Sequence, residues 1–164
     1  MRKYAVVAVL FLGALAVGIY PRLHLLSSQI LLDDEWHSIR HVIDRGFVDV
    51  ATTLSPRDNS TVPFNLYNWW LYRNAHWSEW TLRLPSVVAG ILSLVLLPWL
   101  AGRTLGRRVA VVFAFLLAVS PVLISYSRFA RPYSATVLLG FAALLLSHQW
   151  FTSGRARDAA AAIL

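Results

Sequence analysis

Four uninterrupted apolar runs limit what this chain can fold into: "YAVVAVLFLGALAVGIY" (4–20), "LPSVVAGILSLVLLPWLA" (84–101), "VAVVFAFLLAVSPVLISY" (109–126) and "YSATVLLGFAALLLSHQWF" (133–151). None contains Asp, Glu, Lys or Arg, and each is 17 to 19 residues long. At about 1.5 Å of rise per residue such a run just crosses a hydrocarbon core. Backbone polar groups in hydrocarbon must be satisfied internally, so these runs predict helices and the chain an all-α membrane protein with four transmembrane spans. Composition agrees: 57% of the 164 residues are hydrophobic and only 14% charged, against about 25% charged in ordinary soluble domains.

Arg2 and Lys3 ahead of the first run also fit a cleaved signal peptide. The run is long for that role and ends at Tyr20-Pro21 without a small-residue cleavage pattern, so a span is the better reading. Basic residues set the orientation. Arg2, Lys3, Arg103, Arg107, Arg108, Arg155 and Arg157, with Asp158, give one side a net +6, while the other side nets +1. The N-terminus is thereby expected to be cytoplasmic and residues 21–83 to form a first external loop. This asymmetry accounts for the net +7 without nucleic acid. The absence of cysteine excludes disulfides and thiolate metal sites.

The external loop has structure of its own. Ile39, Val42, Ile43, Phe47, Val50, Ala51 and Leu54 recur at helical spacing, with Arg40, His41, Asp44, Arg45 and Asp49 opposite, which predicts an amphipathic helix in the interface, weakened at Gly46. "SPRDNSTVP" (55–63) ends it. "FNLYNWWLYRNAHWSEW" (64–80) holds seven aromatics and predicts a second interfacial helix. Ser78 or Thr81 would cap the following helix, with Pro85 near its first turn, and Pro98 and Pro121 would kink the second and third spans. The closing "AAAAIL" reads as the opening of a fifth apolar helix, so 1–164 is expected to be the N-terminal part of one transmembrane domain.

Asp33, Asp34 and Glu35 follow the first span directly. Acidic residues stabilise a helix N-terminus by about 0.3–1 kcal/mol, and capping alone is one account of them. Three adjacent carboxylates beside a low-dielectric medium also favour a raised pKa in at least one, which would serve as a base. Asp33, His37 and His41 lie at i, i+4, i+8 and offer a carboxylate and two imidazoles to a metal, although a solvated helix face is the commoner outcome. Arg128 and Arg131 sit in a short external loop, against the positive-inside bias, and are suited to a phosphate or carboxylate. Tyr126 and Tyr133 bracket that loop as interface anchors.

With these residues in view the chain resembles the integral-membrane glycosyltransferases of the GT-C fold. In particular it resembles the branch related to dolichyl-phosphate-mannose–protein mannosyltransferases and bacterial aminoarabinose transferases. The resemblance rests on Asp34-Glu35 after the first helix, "LRLPSVVAG" (82–90) at the entry to the second, and "SPVLISYSRFARPYS" (120–134). The first loop departs from the family pattern, with "STVPFNLYN" keeping only Pro63 where a basic residue and Pro-Pro are usual. The resemblance implies transfer of a sugar from a polyprenyl-phosphate carrier to a glycan, lipid or protein acceptor at the external face of a bacterial plasma membrane. It implies Asp34 as catalytic base, Glu35 positioning acceptor or base, and Arg128, Arg131 and Tyr133 meeting the substrate and its phosphate. It fixes no cofactor; a divalent ion is an alternative, because other GT-C enzymes use one at an acidic first-loop motif. The competing reading is a non-catalytic four-helix subunit, or an inactive truncated transferase, that binds lipid or a partner. A transporter ranks last, since the spans lack ionisable groups apart from His148 near one end.

Overall fold

The computed structural model describes residues 2–53, 62–75 and 77–154, and within them the chain is all-α. In chain order the helices are α1 (Arg2–Leu23), α2 (Asp33–Val42), α3 (Phe47–Thr52), α4 (Val62–Asn74), α5 (Glu79–Thr104), α6 (Arg107–Val119), α7 (Pro121–Ser127) and α8 (Tyr133–Ser153), with a 3-10 turn at Leu26–Ser28. Three helices are long and apolar enough to span a membrane, and α6 and α7 together are apolar enough for a fourth, with a 64° bend between them. The expected opening of a fifth helix lies outside the described residues.

α5 is the central element. Arg83, Ser86, Val87, Gly90, Leu94, Leu97 and Ala101 recur at three- and four-residue intervals and are buried, a stripe that packs against α1, α6, α7 and α8. Small residues let α1 and α6 approach. Ala14, Ala114 and Ala118 are buried with Leu94, Leu97 and Leu117, and a Cβ on Gly18 would lie 3.1 Å from Ala118 Cα. Ser78 is the N-cap of α5: its hydroxyl accepts from the Thr81 amide at 3.1 Å, and Thr81 Oγ1 accepts from the Ser78 amide at 2.9 Å.

Because α5 begins at Glu79, Pro85 lies inside the helix rather than near its first turn, and its missing N–H deprives the Thr81 carbonyl of its usual partner. Tyr67 Oη of α4 takes that place, donating to Thr81 O at 2.7 Å. α5 runs through Pro98 as one helix. At Pro121 the expected kink is a full break. Ser120 leaves helical geometry (φ −65°, ψ 115°), ends α6 and caps α7, its hydroxyl accepting from the Leu123 amide at 3.4 Å.

The amphipathic helix expected across Ile39 to Leu54 is two helices. α2 stops at Val42, Ile43 is extended, Asp44 is left-handed (φ 58°), and α3 restarts after Gly46. Aspartate tolerates that conformation better than most side chains. The aromatic helix pins the turn: Trp69 Nε1 donates to Arg45 O at 3.0 Å and Tyr72 Oη to Asp44 Oδ1 at 3.4 Å. Residues 54–61, which include Leu54 and most of the expected break, lie outside the described residues. The second loop helix ends at Asn74, not at residue 80. α2 and α4 enclose a second core of Ile39, Phe64, Leu71, Leu82 and Ala130.

Candidate functional site

Asp34 and Glu35 are neighbours in the first turn of α2, about 100° apart around its axis, and that rotation gives them opposite environments. Glu35 turns inward and is 1% exposed. Its Oε1 accepts from Arg83 Nε at 3.0 Å and the Ala130 amide at 2.6 Å, and its Oε2 from Arg83 Nη2 at 2.9 Å and the Leu32 amide at 2.9 Å. Arg83, on α5 and equally buried, spends its remaining donors on the carbonyls of Leu26 (3.0 Å), Gln29 (2.8 Å) and Ile30 (3.0 Å). One ion pair thus ties together the end of α1's connector, the start of α2, α5 and the 128–133 segment.

Asp34 turns outward. Arg131 holds it in a two-point fork, Nε to Oδ2 at 2.9 Å and Nη2 to Oδ1 at 2.6 Å, and Tyr133 Oη donates to Oδ2 at 2.9 Å. The Arg131 side chain is 3% exposed while that of Asp34 is 50% exposed, so the carboxylate is fixed from below and open above. The Arg131 hydrogen bonds are the chief cause holding the Asp34 carboxyl below the ordinary Asp range, with burial opposing them and Tyr133 adding to them. The expectation of a raised pKa among the three acids therefore does not apply to Asp34: each neighbouring donor favours its charged form.

Arg131 is itself placed by its backbone, whose carbonyl accepts from Ser86 Oγ at 2.7 Å. Arg128 does not share that carboxylate. It reaches back to α1 and its connector, Nη1 donating to Pro21 O at 2.6 Å and His24 O at 2.7 Å, and Nε to Gln29 Oε1 at 3.1 Å. Among the described residues it forms no ion pair, and it is half-buried at the same end of the bundle as Asp34. Burial first, and then the Arg83 charge, lower its affinity for its proton, but a guanidinium stays charged at neutral pH.

The triad Asp33, His37 and His41 is not brought together. Asp33 is 88% exposed and lies 3.8 Å from His37 Nε2, whereas His41 turns into the protein and is 4% exposed, with neither ring nitrogen hydrogen-bonded among the described residues. Among the described residues no three metal-ligating side chains converge. The rings of Tyr126 and Tyr133 lie 5.0 Å apart between centroids, tilted by 40°, so Tyr133 both packs against Tyr126 and donates to Asp34. A larger groove, about 660 Å³, lies at the far end between α1, α5 and α6, lined by Val7, Trp99 and Arg103 among others, away from the acid pair.

Sequence reasoning assigned nothing to Arg22 or Arg83. Arg83 stood in plain sight in "LRLPS", and the available signal was a guanidinium followed by an apolar run, which must either reach water or find a buried acid. Arg22 carried the same signal at the end of the first apolar run.

The fold and site define a multi-pass helical membrane protein with one carboxylate presented at the end of its bundle on an arginine fork. The family model of dolichyl-phosphate-mannose-protein mannosyltransferases matches residues 65–164. The chain belongs to that family, and so to the GT-C type membrane glycosyltransferases. The match takes in Arg83, Arg128, Arg131 and Tyr133; Asp34 and Glu35 precede it and join it through the bonds just described. Neither a curated protein nor a solved structure matches the chain significantly.

Proposed function

We propose that the protein transfers a sugar from a polyprenyl-phosphate carrier to an acceptor hydroxyl at the external membrane face, with Asp34 as the general base. The observation that carries this reading is the contrast between the two acids: Glu35 is enclosed by four donors, while Asp34 is held rigidly with half its surface open. A base must be within hydrogen-bond reach of the proton it takes, and of these two only Asp34 meets solvent.

In the proposed step the acceptor oxygen forms a bond to the anomeric carbon as the bond from that carbon to the phosphate oxygen breaks. The hydroxyl proton passes to Asp34, and polyprenyl phosphate leaves with the bonding electrons. A single displacement inverts the anomeric configuration. The low basicity of Asp34 suits this order of events, because the hydroxyl becomes acidic only as its new bond forms. Phosphate is a good leaving group, so the second carboxylic acid of a glycosidase is not required.

Charge building on the phosphate calls for a cation, and Arg128 supports that role better than Arg131, whose fork is committed to Asp34. Glu35 and Arg83 act as positioning residues. The test is to give membranes containing the protein a panel of polyprenyl-phosphate hexoses and follow both products. Release of polyprenyl phosphate with an inverted glycosidic linkage is expected for at least one donor; a retained configuration would overturn the single displacement, and no release from any donor would overturn the function.

A further inference from the structure

Arg22 is 1% exposed inside the bundle and, among the described residues, forms no ion pair. Its donors go to three places. Nη1 reaches Gly18 O on its own helix at 2.6 Å, Nη2 reaches Leu117 O on α6 at 3.0 Å, and Nε reaches Ser127 Oγ at the end of α7 at 3.1 Å. Leu117 is four residues before Pro121, so its carbonyl is the one that the proline leaves without a helical donor. Arg22 therefore fills the gap made by the break between α6 and α7.

Its second contact concerns the segment that carries the candidate site. Ser127 and Ser134 are the residues on either side of 128–133, and their hydroxyls meet at 3.4 Å, closing the base of that segment. Ser127 Oγ also donates to Leu123 O at 2.7 Å, which leaves its lone pairs to Arg22 and Ser134. The position is crowded by design of the sequence at residue 90: a Cβ there would lie 2.7 Å from Ser127 Cβ and 3.5 Å from Arg22 Nε. Gly90 gives Ser127 and Arg22 room to meet.

We propose that Arg22 is a positioning residue for sugar transfer: by clasping the proline break and the Ser127 to Ser134 closure it sets the 128–133 segment against α2, and so the fork of Arg131 on Asp34. This inference rests on the reading of Asp34 as the base. Glu35 and Ser86 hold the same segment from its other side, through Ala130 N and Arg131 O. A segment fixed at its base and at its crown has one height, and a segment released at its base does not.

The groups facing Asp34 are Arg131 and Tyr133 from the segment and His37 on its own helix, with Asp33 adjacent. A guanidinium fork lowers a carboxyl pKa by about 1–3 units, so loosening it moves the acid limb of activity upward. The experiment measures kcat/KM against pH in native membranes for the parent, Arg22→Met, Arg22→Lys, Ser127→Ala and Arg131→Gln, with rates normalised to protein abundance. Arg22→Met and Ser127→Ala are expected to shift the acid limb up by about 1 pH unit, with Arg22→Lys between them and the parent. Ser127→Ala keeps every charge, so its shift reports geometry rather than a lost cation.

A purely structural role for Arg22 lowers the amplitude without moving the limb, and that result in both Arg22→Met and Ser127→Ala overturns the inference. Arg131→Gln separates the two levels. If it moves the limb and the Arg22 and Ser127 variants do not, the role of Arg22 falls and the base remains; if it leaves the limb in place, Asp34 is not the base and both fall.

Discussion

Glu35→Gln probes how the buried pair holds the site. The substitution keeps the shape of the side chain but replaces one of two oxygens that each receive two donors. Whichever way the amide turns, its NH2 faces two other donors, either Arg83 Nε with the Ala130 amide or Arg83 Nη2 with the Leu32 amide. Arg83 is 0% exposed and would lose its counter-ion without gaining water. Breaking such a buried pair from one side costs about 3–5 kcal/mol, a large share of a total stability of about 5–15 kcal/mol. Asp34→Asn keeps one oxygen toward the fork and an open side that meets water, but it leaves the 3%-exposed guanidinium of Arg131 without its counter-ion, so it should cost less than Glu35→Gln, about 1–3 kcal/mol. The assay is thermal unfolding of the full protein in detergent, comparing Glu35→Gln, Asp34→Asn and the double variant Glu35→Gln with Arg83→Met. Glu35→Gln should show the larger loss, Asp34→Asn the smaller, and the double variant a partial recovery. Equal effects of Glu35→Gln and Asp34→Asn would refute the division of roles between the two acids.

Asp34 is depressed in the folded protein, so its contribution to stability is complete above the ordinary Asp range and fades as pH falls through its lower folded value; pH-dependent unfolding of Asp34→Asn should lack that component. Gly90→Ala should cost about 1–3 kcal/mol by displacing Ser127 from its place against α5, measured by thermal unfolding, and an unchanged melting profile would contradict the close packing there. Tyr67→Phe removes the hydroxyl that serves the Thr81 carbonyl below Pro85 and should cost about 1–3 kcal/mol; adding Pro85→Ala, which restores the helical donor, should recover part of it.

The spans were legible because apolar runs free of charge have few other solutions, and α1, α5 and α8 fall where those runs lie, each extended into polar flanks such as Arg22 and Glu79 to Arg83. The third run was legible as apolar and bent at Pro121, but not as two separate helices with the Leu117 carbonyl answered from another helix. The break at Val42 to Gly46 was hidden for a related reason. Periodicity from Ile39 to Phe47 reads as one helix, yet Asp44 is left-handed and bonded by Tyr72, and the carbonyl of Arg45 beside it accepts from Trp69, contacts 24 to 28 residues away in sequence. At the site, the residue types were visible and the pairing was not. Nothing local distinguishes Asp34 from Glu35; the difference appears once α2 is set against Arg83 and Arg131, 48 and 97 residues further along. The i, i+4, i+8 stripe misled because it ran from an exposed Asp33 to a buried His41, a rotation that spacing alone does not reveal.

In the proposed mechanism the half-open carboxylate of Asp34 takes the acceptor proton. Sugar transfer from a polyprenyl-phosphate donor by Asp34→Asn, in membranes holding the same amount of folded protein as the parent and beside an Asp33→Asn control, tests it most directly. A fall of about 10²–10⁴-fold is expected for Asp34→Asn, the range typical of losing a general base, with Asp33→Asn near the parent rate. Transfer by Asp34→Asn at the parent rate would contradict it.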